Sequence, residues 1–331
     1  MSKPLPIWQE LPTHFKENVV QYLDFLSRLN LRSCSKSDQS LVDSCPIHIE
    51  TLEFHQKDDS HSSRKMTYYL SLYSVKHGPN YKFRSEEYCA SALFNILSHW
   101  NSKCRYLGFS CWQEYSLDKF IEEFIGKLTN RDQKLNVDIF DWGSGKSAVL
   151  IQMFRFLKPG VLNKIRLNLM DFEDETKKAL VRQLIETDHL NNGRELHLYN
   201  YSMNDYFQDF LRFDNLYVDV EKLTEEMLLK LMDAVKSRNP PIGSQFVITS
   251  EKVIVVNTLE PEFQNFENFE GVLNTLKQRQ TPQKAVHLIS DSRCLVIIKW
   301  NKAIEATVCG WKNWRDDFQK YHGDSINLDS I

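Results

Sequence analysis

Short apolar segments alternate with longer amphipathic segments through the middle of this chain of 331 residues. Between residues 136 and 236, each segment rich in aliphatic and aromatic residues is followed by a stretch of helical periodicity. This alternation is typical of parallel strands joined by crossover helices. The predicted strands are 136–141, 164–169, 195–199 and 215–220, and the predicted helices are 147–157, 173–188, 203–213 and 224–236.

The spacing of these predicted strands indicates a repeat. They begin roughly 20 to 30 residues apart, which is the period of leucine-rich-repeat-like α/β solenoids. Such a stack buries a continuous core and leaves an extended surface lined by strand ends. An ordinary open α/β sheet is the alternative, and the repeat is favoured because no strand is followed by a Gly-x-Gly-x-x-Gly turn. The predicted fold class is therefore α/β, with a leucine-rich-repeat-like domain at 131–310 that ends in a terminal β-meander near 285–308.

The first 45 residues are different, because they predict helices. Pro12 follows Leu11 and suits the first turn of a helix, since proline has a fixed φ and no N–H. Apolar residues then recur at helical spacing at Phe15, Val19, Val20 and Leu23. A pair of amphipathic helices that packs on its own chain is one explanation that this periodicity leaves open.

The order of the residues in this segment resembles an F-box, the three-helix module by which substrate adaptors dock on the Skp-type linker of a cullin–RING ubiquitin ligase. The matching positions are Leu11-Pro12, Val19-Val20, Leu23-Asp24, Cys34 and Leu41-Val42-Asp43. The chain departs from the pattern at His14, where an acid is usual, and at Ser37, where a large aromatic residue is common. The resemblance implies an F-box at 5–46. The residues that it implies for contact with the linker are Leu11, Pro12, Val19, Val20, Leu23 and Leu31.

A second resemblance lies further along the chain. The segment 154–167, with Lys158-Pro159-Gly160 at its centre, and the later segment 213–218 are similar to the signature of the FTH domain. This domain follows the F-box in an expanded set of nematode proteins, the F-box A family. The resemblance covers roughly residues 130–270 and leaves 47–130 as a connecting α/β segment. It implies recruitment of ligase substrates and identifies no particular target.

Together these features predict a non-enzymatic subunit that recruits substrates to an SCF-type ubiquitin ligase. Its partners would be a Skp-type linker, a cullin and an unidentified protein substrate, with no cofactor, no metal and no catalytic residue of its own. A protein-interaction scaffold that acts without any ligase is the alternative. A nucleotide binder is less favoured, because the glycine loop at Gly143–Ser147 has Phe140 where a phosphate-binding loop needs glycine.

Composition limits the compartment and the partners. The net charge of −3 gives no electrostatic reason to expect nucleic acid or an anionic membrane as a partner. The first residues lack the apolar core of a signal peptide, and no apolar run approaches the ~20 residues that span a bilayer. The seven cysteines form no C-x-x-C pair and are expected to be free thiols. A cytoplasmic or nuclear protein is therefore predicted.

Overall fold

Three short helices lie near the start of the chain, and strands with both parallel and antiparallel neighbours follow them. The computed structural model describes residues 8–58, 66–73, 80–83, 86–97, 102–111, 118–130, 134–143, 147–169, 174–202, 204–250, 283–290, 292–299, 303–313, 316–317 and 320. The helices are α1 (Thr13–Tyr22), α2 (Phe25–Cys34), α3 (Lys36–Ser44), α4 (Glu86–Leu97), α5 (Asp118–Thr129), α6 (Ser147–Phe156), α7 (Asp174–Ile185), α8 (Asp188–Asn192), α9 (Phe207–Phe210) and α10 (Glu225–Arg238). The strands are β1 (His48–Asp58), β2 (Met66–Tyr73), β3 (Asn80–Phe83), β4 (Lys103–Cys111), β5 (Asn136–Trp142), β6 (Lys164–Asn168), β7 (Glu195–Ser202), β8 (Asn215–Val220), β9 (Gln245–Ser250), β10 (Gln283–Ser290), β11 (Arg293–Lys299) and β12 (Ala303–Gly310).

The chain divides into two units, which are residues 1–163 with 178–192 and residues 164–177 with 193–331. In the first unit, β1 lies between β4, with which it is parallel, and β2, with which it is antiparallel. β4 also pairs in parallel with β5, and β2 pairs with the short β3. Large aromatic side chains fill the space between these strands and the helices. Those that are fully buried include Phe54, Phe109, Phe120, Phe140 and Trp142.

In the second unit, β6, β7, β8 and β9 are parallel neighbours, with α9 between β7 and β8 and α10 between β8 and β9. Buried aliphatic residues alternate with less buried ones along β6 and β8, so one face of these strands belongs to the core. β7 and β9 each contain three consecutive buried residues. The strands of the meander, β10, β11 and β12, are antiparallel, and β12 pairs with β9. The α/β alternation is confirmed, whereas the leucine-rich-repeat-like geometry stays a prediction.

Two details differ from the sequence analysis. The segment 203–213 does not form one long helix, because it contains a single 3-10 turn at Asn204–Tyr206 and the four-residue α9. The guanidinium of Arg238 donates to the carbonyls of Leu211 (2.5 Å) and Phe213 (2.9 Å). These carbonyls therefore have hydrogen-bond partners even though the helix does not continue. The sequence pattern does not predict β4, which the structure places between β1 and β5. The valine- and isoleucine-rich sequence at 253–256 also predicts a strand, but these residues lie outside the described part of the chain.

Candidate functional site

The helices α1, α2 and α3 begin where the local sequence provides acceptors for their first N–H groups. The carbonyl of Pro12 accepts from the N–H groups of Phe15 and Lys16 at the start of α1. The Asp24 carboxylate accepts from the Ser27 N–H at 2.7 Å and caps α2. The Ser35 hydroxyl accepts from the Asp38 N–H at 3.0 Å and caps α3. Each cap satisfies a donor that has no partner within its helix.

The segment that precedes α1 is attached to α3 through Asp38. The Trp8 indole N–H donates to one Asp38 oxygen at 2.7 Å, and the Ser35 hydroxyl donates to the other at 2.6 Å. These two hydrogen bonds hold the pKa of Asp38 below its ordinary value, because both favour the charged carboxylate. The segment that leads into α1 is therefore tied to α3 at Trp8.

A small apolar cluster lies beneath these helices. Val20, Val42 and Cys45 are buried in it, and Leu31 and Leu41 are partly buried against it. Val20 of α1 is completely enclosed by its own chain. The cluster fixes which side of α1 faces inward.

The opposite side of α1 is apolar and exposed. Phe15, Val19 and Tyr22 lie at i, i+4 and i+7, so they share one stripe of the helix. Their exposed fractions are 55%, 41% and 92%. We call these three residues the α1 face. Leu29 of α2 is also exposed, at 40%.

The residues predicted to contact a linker do not all lie on this surface. Pro12 and Val19 are exposed, Leu11 and Leu23 are half-buried, and Leu31 packs against the small core. Val20 does not form part of the α1 face, because its side chain is completely enclosed beneath it. The prediction omitted Phe15 and Tyr22, although their spacing from Val19 was visible in the sequence. His14 and Ser37, where the chain departs from the F-box pattern, are both exposed.

A second candidate surface lies on the second unit, on the polar side of β6, β7 and β8. The Glu195 carboxylate receives hydrogen bonds from Lys164 of the neighbouring strand and from His197 Nε2, the latter at 2.6 Å. His197 Nδ1 lies 2.9 Å from the Tyr199 hydroxyl. A neutral His197 with its proton on Nε2 satisfies both contacts, because Nε2–H then donates to Glu195 and Nδ1 accepts from Tyr199.

Tyr217 extends this network to the next strand. Its ring stacks on the His197 ring with 3.9 Å between the centroids, because the two residues are directly opposite in the pairing of β7 with β8. The Tyr217 hydroxyl donates to Gln245 of β9 at 2.6 Å. Burial raises the pKa of Tyr217 above its ordinary value, so the phenol remains protonated. We call Lys164, Glu195, His197, Tyr199 and Tyr217 the polar sheet face.

The ionisation states in this network follow from the hydrogen bonds and from burial. Burial opposes the charged form of Glu195, but the hydrogen bonds from His197 and Lys164 outweigh it and lower the pKa of Glu195 to about 2. Burial lowers the pKa of His197, although Glu195 favours its protonated form. The network therefore contains a carboxylate beside a neutral imidazole at neutral pH.

Acid should destabilise the second unit through His197. Because the folded chain holds the pKa of His197 below its ordinary value of 6.5, the unfolded chain binds the proton first as the pH falls. Stability is therefore fully present above that value and is lost below it. We expect the midpoint of thermal unfolding to fall more between about pH 7 and pH 5 in the wild type than in His197→Gln. Equal falls in the two proteins would contradict this assignment of His197.

The described residues also bear on three other possibilities, which are metal binding, a membrane-spanning helix and nucleotide binding at the glycine loop. Within them, no group of three or more His, Cys, Asp or Glu side chains is arranged to hold a metal ion. No helix in the described part of the chain is long and apolar enough to cross a membrane. Gly143 follows β5 directly, and its N–H donates to the Phe109 carbonyl at 2.7 Å. Residues 144–146 of the glycine loop lie outside the described residues.

Comparison with known proteins identifies both parts of the chain. The F-box domain family matches residues 8–50, and the FTH domain family matches residues 118–262. An uncharacterized F-box protein of Caenorhabditis elegans is 28% identical over 155 residues, which are 43% of this chain and 39% of that protein. The chain thus matches about two fifths of the length of this relative. These matches confirm both resemblances, and the chain belongs to the nematode F-box proteins that carry an FTH domain.

Proposed function

We propose that this protein recruits substrates to an SCF-type cullin–RING ubiquitin ligase. The F-box would dock on a Skp-type linker, which connects it to the cullin, and the FTH domain would bind the target protein. The single observation that supports this most is the α1 face, because it places an exposed apolar stripe within the matched F-box. The protein would act in the cytoplasm or the nucleus.

The α1 face has the chemistry of a docking surface. Phe15 and Tyr22 are large aromatic residues at the ends of the stripe, with the β-branched Val19 between them. Exposed apolar patches on soluble proteins mark interaction sites, and aromatic residues are enriched among the strongest contributors to binding. We infer that helices of the linker cover this stripe, with Pro12 and the half-buried Leu11 and Leu23 at its margin.

The second unit supports the target-binding half of the proposal. The strands β6 to β9 are parallel neighbours, and their starts at residues 164, 195, 215 and 245 have the spacing of the predicted repeat. The polar sheet face runs across three of these strands and includes two half-buried tyrosines, Tyr199 and Tyr217. Tyrosine is enriched in protein interfaces because it combines a large ring with a polar hydroxyl. An extended surface of this kind suits a protein segment better than a small ligand.

Such an adaptor needs no catalytic residue of its own. The conjugating enzyme bound to the RING subunit transfers ubiquitin, and the adaptor contributes by bringing the target close and orienting it. A scaffold that acts without a ligase would have the same second unit. Binding to a Skp-type linker is therefore the observation that separates the two functions.

A chimera tests the proposal in full. The chain from residue 47 onward is fused to an F-box from an unrelated protein, and bound proteins are identified after affinity purification from cells. Apart from ligase subunits, the chimera is expected to retain the partners of the wild type, because target selectivity should lie within residues 130–310. The reverse chimera, residues 1–46 on an unrelated body, should retain the linker and the cullin and lose the targets.

Different results would contradict the two halves of the proposal, which are target binding by the second unit and linker docking by the F-box. If the non-ligase partners follow residues 1–46, the second unit does not select the target. If neither the wild type nor the reverse chimera retains the linker, the F-box does not dock and the scaffold function is favoured.

A further inference from the structure

The guanidinium of Arg28 lies between the C-terminal ends of two helices. Its Nε donates to the Leu23 carbonyl at 3.2 Å, and its Nη2 donates to the Gln21 carbonyl at 3.5 Å, both at the end of α1. Its Nη1 donates to the carbonyls of Cys45 (3.3 Å) and Pro46 (3.0 Å), which follow α3. Only 5% of Arg28 is exposed, although the residue carries a full positive charge.

The ends of α1 and α3 have a physical need for such a group. The last carbonyls of a helix lack partners within it, and the partial negative charge of the helix dipole is concentrated there. One cation placed between two such ends satisfies carbonyls of both and is stabilised by both dipoles. The four contacts of Arg28 all go to main-chain carbonyls, so its position depends on backbone geometry rather than on a carboxylate partner.

Among the described residues, the apolar core beneath α1 is small. It consists of Val20, Val42 and Cys45, with Leu31 and Leu41 partly buried against it. A cluster of this size removes little apolar area from water, and small modules of this kind depend on additional cross-links. The multiple hydrogen bonds of Arg28 supply a link between α1 and α3.

The same residue holds the chain where it leaves the three helices. Cys45 and Pro46, whose carbonyls Arg28 binds, are followed by Ile47 and then by β1. The Ile47 N–H donates to the Ser102 hydroxyl at 3.1 Å, and the Ile47 carbonyl accepts from the Lys103 N–H at 2.9 Å. Arg28 therefore holds the segment between α3 and β1 where the first strands begin.

We propose that Arg28 is a positioning residue for linker docking, which holds α1 against α3 so that the α1 face keeps a fixed orientation relative to α3. This inference rests on the proposed function, because docking of the linker on the α1 face is part of that proposal. Arg28 would act from beneath this face. Loss of Arg28 would leave the three side chains of the α1 face present but the helix that carries them less fixed. The linker would then bind only the fraction of molecules with α1 correctly placed.

The test compares Arg28→Met with Arg32→Met in the full chain. Arg32 is a matched control, because it lies one turn further along α2 and its replacement removes the same positive charge. It differs from Arg28 in that its contact is an exposed ion pair with Asp43. Affinity for a purified Skp-type linker is measured by calorimetry well below the unfolding temperature of each variant. We expect Arg28→Met to bind at least about tenfold more weakly than the wild type, and Arg32→Met to bind within about twofold. Arg28→Lys retains the positive charge but replaces the three guanidinium nitrogens with one ammonium group, so its affinity should lie between those of the wild type and Arg28→Met.

Amide hydrogen exchange on the same proteins gives a reading that does not depend on the linker. Arg28→Met should lose protection at the ends of both α1 and α3, at the amides of Leu23 and Cys45, and Arg28→Lys should recover part of it. If Arg28→Met fails to fold, Arg28→Lys must itself bind the linker more weakly than the wild type and show less amide protection at the ends of α1 and α3. Unchanged exchange at both helix ends, or linker affinity equal in the two methionine variants, would overturn the inference. If the wild type does not bind the linker, the proposed function fails, and hydrogen exchange still decides whether Arg28 positions α1.

Discussion

Replacing both exposed aromatic residues of α1, in the double variant Phe15→Ala/Tyr22→Ala, is expected to weaken binding to a Skp-type linker at least a hundredfold. Phe15 and Tyr22 are 55% and 92% exposed in the chain without its partner, so docking can remove much of both rings from water. Burial of one such side chain contributes roughly 1.5–3 kcal/mol, and about 1.4 kcal/mol corresponds to a tenfold change in affinity. Titration calorimetry with the purified linker measures the change.

The fold of the double variant should be intact, because neither side chain contributes to the core beneath α1. Ile242→Ala is the matched control, since Ile242 is also apolar and 42% exposed but lies in the second unit. Its affinity for the linker should equal that of the wild type. A double variant that is folded and still binds with wild-type affinity would exclude the α1 face as the docking surface.

Phe120→Ala should lower the free energy of unfolding of the first unit by about 3–5 kcal/mol, the usual loss when a buried phenylalanine leaves a cavity. Phe120 is fully buried on α5 and stacks on Phe54 of β1 with 3.9 Å between the ring centroids. Phe109 of β4 lies 6.4 Å away, so this ring joins α5 to two neighbouring strands. Urea-induced unfolding followed by circular dichroism measures the loss.

Glu122→Ala on the same helix provides the control, because Glu122 is exposed. Its effect should stay within about 0.5 kcal/mol. A loss below ~1 kcal/mol for Phe120→Ala would mean that α5 is not held on the sheet by this aromatic contact.

The helices and most strands could be predicted because their signals are local. Caps such as Asp24 and Ser35 and the 3.6-residue period of α1 depend on neighbours in sequence. β4 could not be recognised in this way, because Gly108 and Arg105 weaken its strand pattern. Gly108 is explained only by the fold, since a Cβ at this position would lie 2.8 Å from the ring of Tyr106. The hydroxyl of that tyrosine donates to Asp141 of β5 at 2.8 Å.

Only part of the arrangement of α1 could be predicted from the sequence. Helical spacing placed Val19 and Val20 on α1, but it could not show that Val20 points into a cluster with Val42 and Cys45 while Val19 points outward. That distinction depends on the packing of α3 against α1. The polar sheet face was invisible for the same reason, because the stacking of His197 on Tyr217 requires the register of β7 with β8.

The most direct test of the account is the affinity of the purified wild-type chain for a purified Skp-type linker. We expect a complex of one chain with one linker and a dissociation constant of about 1 μM or tighter, equivalent to roughly −8 kcal/mol. This complex should then bind the cullin. The absence of binding at linker concentrations of about 100 μM, by a chain shown to be folded, would contradict this expectation.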